Sequence, residues 1–415
     1  MDSSYFPQRG QPARARAPHQ PLDGLENGLE PDLRTQFGDR GGRGRLRIAR
    51  VAPWDNALVY TTLALVVVGL ISVFTASAAQ ADLETGNSVS LLFKQFISAA
   101  LGYGALLWMA RFPFEKLKNL ARPLALVSLG LLLLTMLAGT TANGSERWIA
   151  LPFGFQFQPS DVAKVAAILL MAQATSHPRK LWTQSTILNL GMVSLMITLI
   201  YQQPNLSVSM ILGILTVVML FLAGINIQLL TCSLVGIGFI VYKKILETPY
   251  QKKRIVGWLN PWQLSQDAGY NLIQSYYAIG SGGLYGVGLG NSIQKLYYLP
   301  FQHTDFIFSV ICEEWGIIGA AIVIGMFGLL AWRGFTIAYH CPSRFGKMLA
   351  FGLTMAIVLQ ASINICVTIG LMPVTGVTLP LISYGGTSMV VTLGMIGILL
   401  NISRYRSTGN ASEAF

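Results

Sequence analysis

The chain has 415 residues, of which 53% are hydrophobic and only 11% charged, and it carries a formal net charge of +11. Apolar blocks of membrane-spanning length recur along it. This excludes a soluble protein of two or three domains and predicts an all-α polytopic membrane protein in which the helices share one bundle. The Lys and Arg residues gather in short loops between the apolar blocks, as the positive-inside rule requires, so the positive charge does not mark a nucleic-acid partner. Cys232, Cys312, Cys341 and Cys366 are scattered and show no C-x-x-C spacing, and the four histidines form no metal-binding pair, so no metal site is read.

The first fifty residues are rich in Pro, Gly and Arg, with nine Arg, six acidic residues and no apolar run. They cannot bury enough surface to fold alone, so residues 1–50 are expected to form a disordered basic tail. The tail lacks the apolar core of a signal peptide, and the first span is expected to act as an uncleaved insertion signal. Ten spans follow, at about 57–79, 89–109, 123–137, 162–174, 187–201, 206–222, 227–245, 304–331, 348–371 and 383–402. They form a membrane domain over 51–406, with a large extracytoplasmic loop at 247–303 and a short tail at 407–415. Basic connections containing Arg111, Lys116, Lys118, Arg122, Arg179, Lys180, Arg333, Lys347 and Arg404 then fall on one side, which makes both termini cytoplasmic. Lys252, Lys253 and Arg254 fall on the outer side instead, where a basic cluster indicates an anionic ligand.

Three outer segments carry polar residues. In the first, Asn143 to Ile149 and then Gln158 to Lys164, Ser160 and Asp161 stand where a helix N-cap would be, and Asp161 and Lys164 have ion-pair spacing on a helix surface. The alternative is that Arg147 and Lys164 face an outer cavity and hold phosphate oxygens. The second is the 247–303 loop. Its glycine-rich stretch from Gly280 to Ser292 lacks the G-x-x-x-x-G-K-[ST] pattern of a nucleotide loop, leaving a flexible loop or a close backbone approach to a ligand. The loop carries Lys295 and runs into Asp305, where a polar segment meets a long apolar helix. Asp305 is either a helix-start carboxylate with Thr304 as a partner cap, or a chemical group exposed to an outer cavity. Glu313 and Glu314 lie about two turns deeper, Glu313 nearer the face of Asp305 and Glu314 on the opposite side, as a structural partner for another helix. In the third segment, Met372 to Ser388, two prolines and adjacent glycines within apolar sequence predict a broken helix that lines a cavity, with Ser383 and Tyr384 beside it.

Taken together, Asn143 to Lys164, Gly288 to Leu296, His303 to Phe308 with Glu313-Glu314, and Leu379 to Ser388 resemble the SEDS family (shape, elongation, division and sporulation) across the whole membrane region. The resemblance implies a ten-helix peptidoglycan glycosyltransferase that polymerises lipid II outside the cytoplasmic membrane beside a class B penicillin-binding protein. The Gly-Asn-Ser-Ile-Gln-Lys-Leu run at 290–296 and the long tail resemble the division branch more than the elongation branch. That implies septal wall synthesis with other divisome proteins as partners. The family often has Gln-Pro-Asp-Leu-Gly-Thr where this chain has Gln203-Pro204-Asn205-Leu206-Ser207-Val208, and Glu where Asp161 stands. Asp305 matches the family's catalytic aspartate and would act as general base. Arg147, Lys164, Lys295, Lys252, Lys253, Arg254, Ser383 and Tyr384 are candidates to bind lipid II and its pyrophosphate, with Asp161, Glu313 and Glu314 as structural partners. No cofactor is assigned, and a loosely bound divalent cation stays open. A lipid II transporter and a scaffold that activates a partner synthase are the rival readings.

Overall fold

A computed structural model of the chain describes residues 53–405 except 139, 143–144, 151, 153–154, 177–182, 204 and 296–297. The expected tails at 1–50 and 407–415 lie outside the described residues. The chain is helical almost throughout. α1 (Asn56–Thr85), α2 (Ser90–Arg111) and α3 (Phe114–Ala138) lead into three short antiparallel strands, β1 (Thr140–Ala142), β2 (Ser145–Ala150) and β3 (Gln156–Phe157). Then come α4 (Pro159–Thr175), α5 (Gln184–Gln202), α6 (Leu206–Leu222), α7 (Ile227–Glu247), α8 (Pro249–Leu259), a 3-10 turn (Pro261–Leu264), α9 (Tyr270–Gly282), α10 (Ile307–His340), α11 (Arg344–Thr368) and α12 (Gly386–Ser403).

Among the described residues seven helices, α1, α2, α3, α5, α10, α11 and α12, are long and apolar enough to cross a membrane. The three remaining apolar stretches coincide with α4, α6 and α7, which are shorter or less uniformly apolar. α4 occupies the centre: 14 of its 17 residues are buried, and it packs against α3, α5, α6 and α11. Its neighbours are protein rather than lipid, so it tolerates Asp161 and Lys164 on an otherwise apolar helix. Three sequence expectations need correction. The 247–303 loop contains α8 and α9, and the segment before α4 contains strands. The N-cap of α4 is Gln158, with Pro159 in the first turn, so Ser160 and Asp161 lie inside the helix.

One end of the bundle is closed by polar side chains. Asp55 caps α1 by accepting from Leu58 N at 3.1 Å, accepts from Arg333 Nε of α10 at 3.2 Å, and is also paired with the Arg333 Nη2. Asn401 of α12 donates to the Ala110 carbonyl and accepts from Phe114 N, fixing the turn between α2 and α3. The Phe114 and Tyr405 rings meet edge-on at 5.3 Å. This end carries Arg111, Arg333, Arg344, Lys347 and Arg404. The irregular segments gather at the opposite ends of the same helices, where α4 and α10 begin and α11 ends.

Candidate active site

Asp305 sits in a run of turns just before α10, one residue ahead of Phe306, which holds the N-cap position. The turn is held by main-chain bonds: Thr304 N and Phe306 N both donate to the Phe301 carbonyl, and Phe301 itself takes the left-handed φ of 58°. The Gln302 amide donates to the Ala76 carbonyl of α1 at 2.9 Å. Phe306 and Val310 pack with Ala76 and Leu299 into a small apolar cluster beneath the turn. Asp305 is half-buried, and a Cβ added at the exposed Gly376 would lie 3.5 Å from its Oδ2. The carboxylate thus faces the segment between α11 and α12.

That segment, residues 369–385, is not helical, as its prolines and glycines predict. Its freed main-chain groups are taken up by side chains from surrounding helices. Ser207 of α6 donates to the Thr375 carbonyl at 2.7 Å, and Arg254 of α8 donates to the Val374 carbonyl at 3.2 Å. Gln360 and Asn364, one turn apart on α11, donate to the Thr378 and Val377 carbonyls at 3.0 and 2.6 Å. Asn364 also donates to the Asp305 carbonyl at 2.8 Å. At the far end of the segment, Gln95 of α2 grips the turn before α12 with both halves of its amide, donating to Ser383 O and accepting from Gly385 N. Gly69 of α1 lets the segment approach closely, since a Cβ there would fall 2.5 Å from the Leu381 carbonyl oxygen. Gln95, Gln360 and Asn364 escape a motif-based reading; their signal is lone amide polarity inside apolar stretches.

The other sequence-selected residues divide into those beside Asp305 and those held elsewhere. Ser383 donates its one proton to the Thr304 carbonyl at 2.6 Å and accepts from Leu379 N, so it latches the two irregular segments together instead of offering a hydroxyl to substrate. Tyr384 N donates to the His303 carbonyl, and the two rings meet at 5.7 Å. Lys164 lies 2.9 Å from Asp161 Oδ1 and 2.8 Å from Gln360 Oε1, with both charged side chains almost wholly buried. The expected surface ion pair is therefore a buried one, and it steadies Gln360. The outer basic cluster does not act as a unit: Lys252 is exposed, Lys253 pairs with Asp267 at 2.5 Å, and only Arg254 reaches the broken segment. Arg147 belongs to β2, and its side chain lies outside the described residues.

Glu313 and Glu314 both serve the glycine-rich loop. Glu313 accepts from Ser292 Oγ at 2.5 Å, Ile293 N at 2.9 Å and Gln294 N at 3.4 Å. Glu314 pairs with Lys295 at 3.3 Å, and Lys295 also donates to the Gly290 carbonyl, so Lys295 is neutralised within the protein. Thr75 of α1, whose hydroxyl donates to the Ser72 carbonyl at 3.2 Å, lies beside Glu314. The loop goes further and splices into α10. Gly316 breaks the helix at φ 69° and ψ −168°. Val287 N and Gly288 N donate to the Glu313 and Glu314 carbonyls, while Ile317 N and Ile318 N donate to the Gly283 and Leu284 carbonyls. The glycines thus allow close approach to a helix backbone, not to a ligand: a Cβ at Gly282 or Gly286 would lie 2.0 or 2.2 Å from a carbonyl oxygen of α10. The first turns of α10, which follow Asp305, are a separate short segment clamped by this loop.

Comparison with known proteins agrees with this layout. The cell cycle protein family that groups FtsW, RodA and SpoVE matches residues 56–408. Stage V sporulation protein E of Bacillus subtilis is 38% identical over 358 residues, covering 85% of this chain and 97% of its own length. The probable peptidoglycan glycosyltransferase FtsW of Geobacter sulfurreducens is 35% identical over 363 residues, covering 86% and 97%. Among solved structures, a chain from a study of how a peptidoglycan synthase complex coordinates polymerization and crosslinking aligns with a TM-score of 0.72 and 30% identity, covering 86% of this chain and 99% of that one. The rod shape determining protein RodA of Thermus thermophilus aligns at 0.64 and 28%, covering 86% and 98%. A family match over residues 56–408, on a helical membrane bundle with these outer segments, shows that the chain belongs to the FtsW/RodA/SpoVE family of cell cycle proteins.

Proposed function

We propose that this chain is a peptidoglycan glycosyltransferase that polymerises lipid II into glycan strands for septal wall synthesis, with Asp305 as its general base. The observation that carries this reading is a carboxylate placed ahead of α10 and turned toward a broken segment whose main chain is held by five surrounding side chains. The hydroxyl of one lipid-linked sugar attacks the anomeric carbon of another. Asp305 takes the hydroxyl proton as the new glycosidic bond forms, and the bond to the lipid pyrophosphate breaks, so that the pyrophosphate leaves with the electron pair. Attack in line with departure inverts the anomeric centre.

The leaving pyrophosphate needs a cation, and Arg254 is the basic residue whose contacts bring it to the segment facing Asp305. Arg147 is the second candidate, from its place in the segment before α4. Lys164 and Lys295 are buried against Asp161 and Glu314, which supports a structural role for them. The basic residues at the closed end of the bundle support ten crossings with that end in the cytoplasm and Asp305 outside. The division role rests on the several relatives named FtsW, and the class B penicillin-binding protein partner on likeness to a chain of a peptidoglycan synthase complex. To test the reading, purified protein with a class B partner whose transpeptidase is disabled is incubated with lipid II. Glycan polymer is the expected product; lipid II left intact but moved across vesicle membranes would replace the polymerase with a transporter.

A further inference from the structure

We propose that Asn364 is a positioning residue for Asp305. The inference rests on the polymerase reading above. Asn364 lies on α11, only 1% exposed. Its Nδ2 donates both hydrogens, one to the Asp305 carbonyl at 2.8 Å and one to the Val377 carbonyl at 2.6 Å. With carbonyl oxygens on both sides, the nitrogen must stand there and Oδ1 must point away. The two bonds join the turn that carries Asp305 to residues 374–378, the stretch that the Asp305 carboxylate faces; Ser383 latches the neighbouring Thr304 further along.

The other half of the amide shows what the residue is for. Asn364 Oδ1 is buried and has no hydrogen-bond partner among the described residues. An orphaned buried acceptor is destabilising, so asparagine is a poor choice for stability alone at this position. What it supplies is a fixed spacing between the base and the broken segment. Gln360, one turn earlier, does the same for Thr378 and is steadied by Lys164, so the buried Asp161–Lys164 pair ends in this brace. Other titratable groups around the corner are His303 and Tyr384, whose rings touch, Arg254 at the Val374 carbonyl, and the Lys164–Asp161 pair behind Gln360.

The test uses full-length protein with its class B partner and lipid II, comparing wild type, Asn364→Leu and Asn364→Asp. Leucine keeps the volume and removes the donors. A base displaced by about an ångström loses roughly 100-fold in kcat per folded molecule with KM little changed, while the two carbonyls left without a donor lower the thermal midpoint. Aspartate fills the same space but has at most one proton to give to the two carbonyls, so it keeps one contact at best and should fall between wild type and leucine in kcat per folded molecule, with KM little changed. A purely structural asparagine would lower the yield of folded protein and leave kcat per folded molecule unchanged. The proposal is overturned if Asn364→Leu keeps kcat within threefold of wild type. It is also overturned if the polymer lost by either variant only follows its loss of folded protein. Wild type that makes no polymer would remove the polymerase reading and this inference with it, whereas active wild type with an equally active Asn364→Leu would remove this inference alone.

Discussion

Gly316 is where a single methyl group should do the most damage outside the site itself. Its φ of 69° and ψ of −168° lie in a region open essentially to glycine, and an alanine there is strained by about 1–3 kcal/mol. The added Cβ would also stand 2.4 Å from the Leu284 carbonyl oxygen and 2.5 Å from Gly286 N, both backbone atoms that cannot rotate aside. The loop must then lift from α10, and four main-chain bonds join them there. Leaving two of those buried groups unpaired costs about a further 2–4 kcal/mol. The combined effect of Gly316→Ala is on the order of 4 kcal/mol, and it releases the clamp on the helical segment that follows Asp305. Gly325 is the internal control: it lies in the same helix with nothing within 4 Å of its would-be Cβ, so alanine there is neutral or slightly stabilising. Thermal unfolding in detergent and lipid II polymerisation are measured on both variants. Gly316→Ala should unfold at least about 5 °C lower and lose most polymerisation, while Gly325→Ala matches wild type. Equal stability and activity in the two variants would refute the splice between loop and helix.

Other outcomes follow from the closed end of the bundle. Asp55→Ala leaves Arg333 without its carboxylate, uncaps α1 and removes a pair whose acidic side chain is 1% exposed; stability should fall by about 3–5 kcal/mol, read as a lower thermal midpoint, while turnover per folded molecule is kept. Cys341 lies in the connection between α10 and α11, where burial pushes its thiol up to about 12. Because the raised value keeps the thiol protonated and unreactive at every pH below it, a variant retaining only Cys341 should resist maleimide at pH 8 until unfolded.

The amount of this that is legible in the sequence depends on which force fixed each part. Burial in lipid leaves a strong mark, so the long apolar helices stand out, and Pro373, Pro380 and the Gly385-Gly386 pair announce a break before α12. α8 and α9 leave no such mark, since short helices packed on one side of an outer loop carry a weak periodicity. Asp305 is visible because a carboxylate beside an apolar helix is costly. The partners of Lys164 and Lys295 are less visible: i, i+3 spacing finds Asp161, but spacing alone does not show that the pair is buried. Glu313 and Glu314 show the limit most clearly. Helical geometry sends them to different faces, yet the loop wraps around the break at Gly316 and reaches both. The glycines at 282, 286 and 316 serve one another's backbone, a tertiary fit that no local pattern encodes.

The most direct test is to replace Asp305 by asparagine, which keeps the shape of the side chain and removes the base. Both proteins are purified with the transpeptidase-disabled partner, checked for equal thermal midpoints and equal partner binding, and given lipid II. Polymer from wild type and none from Asp305→Asn is the predicted result. Polymer from both at similar rates would contradict the assignment of Asp305 as the base and move the chemistry to another residue or to the partner.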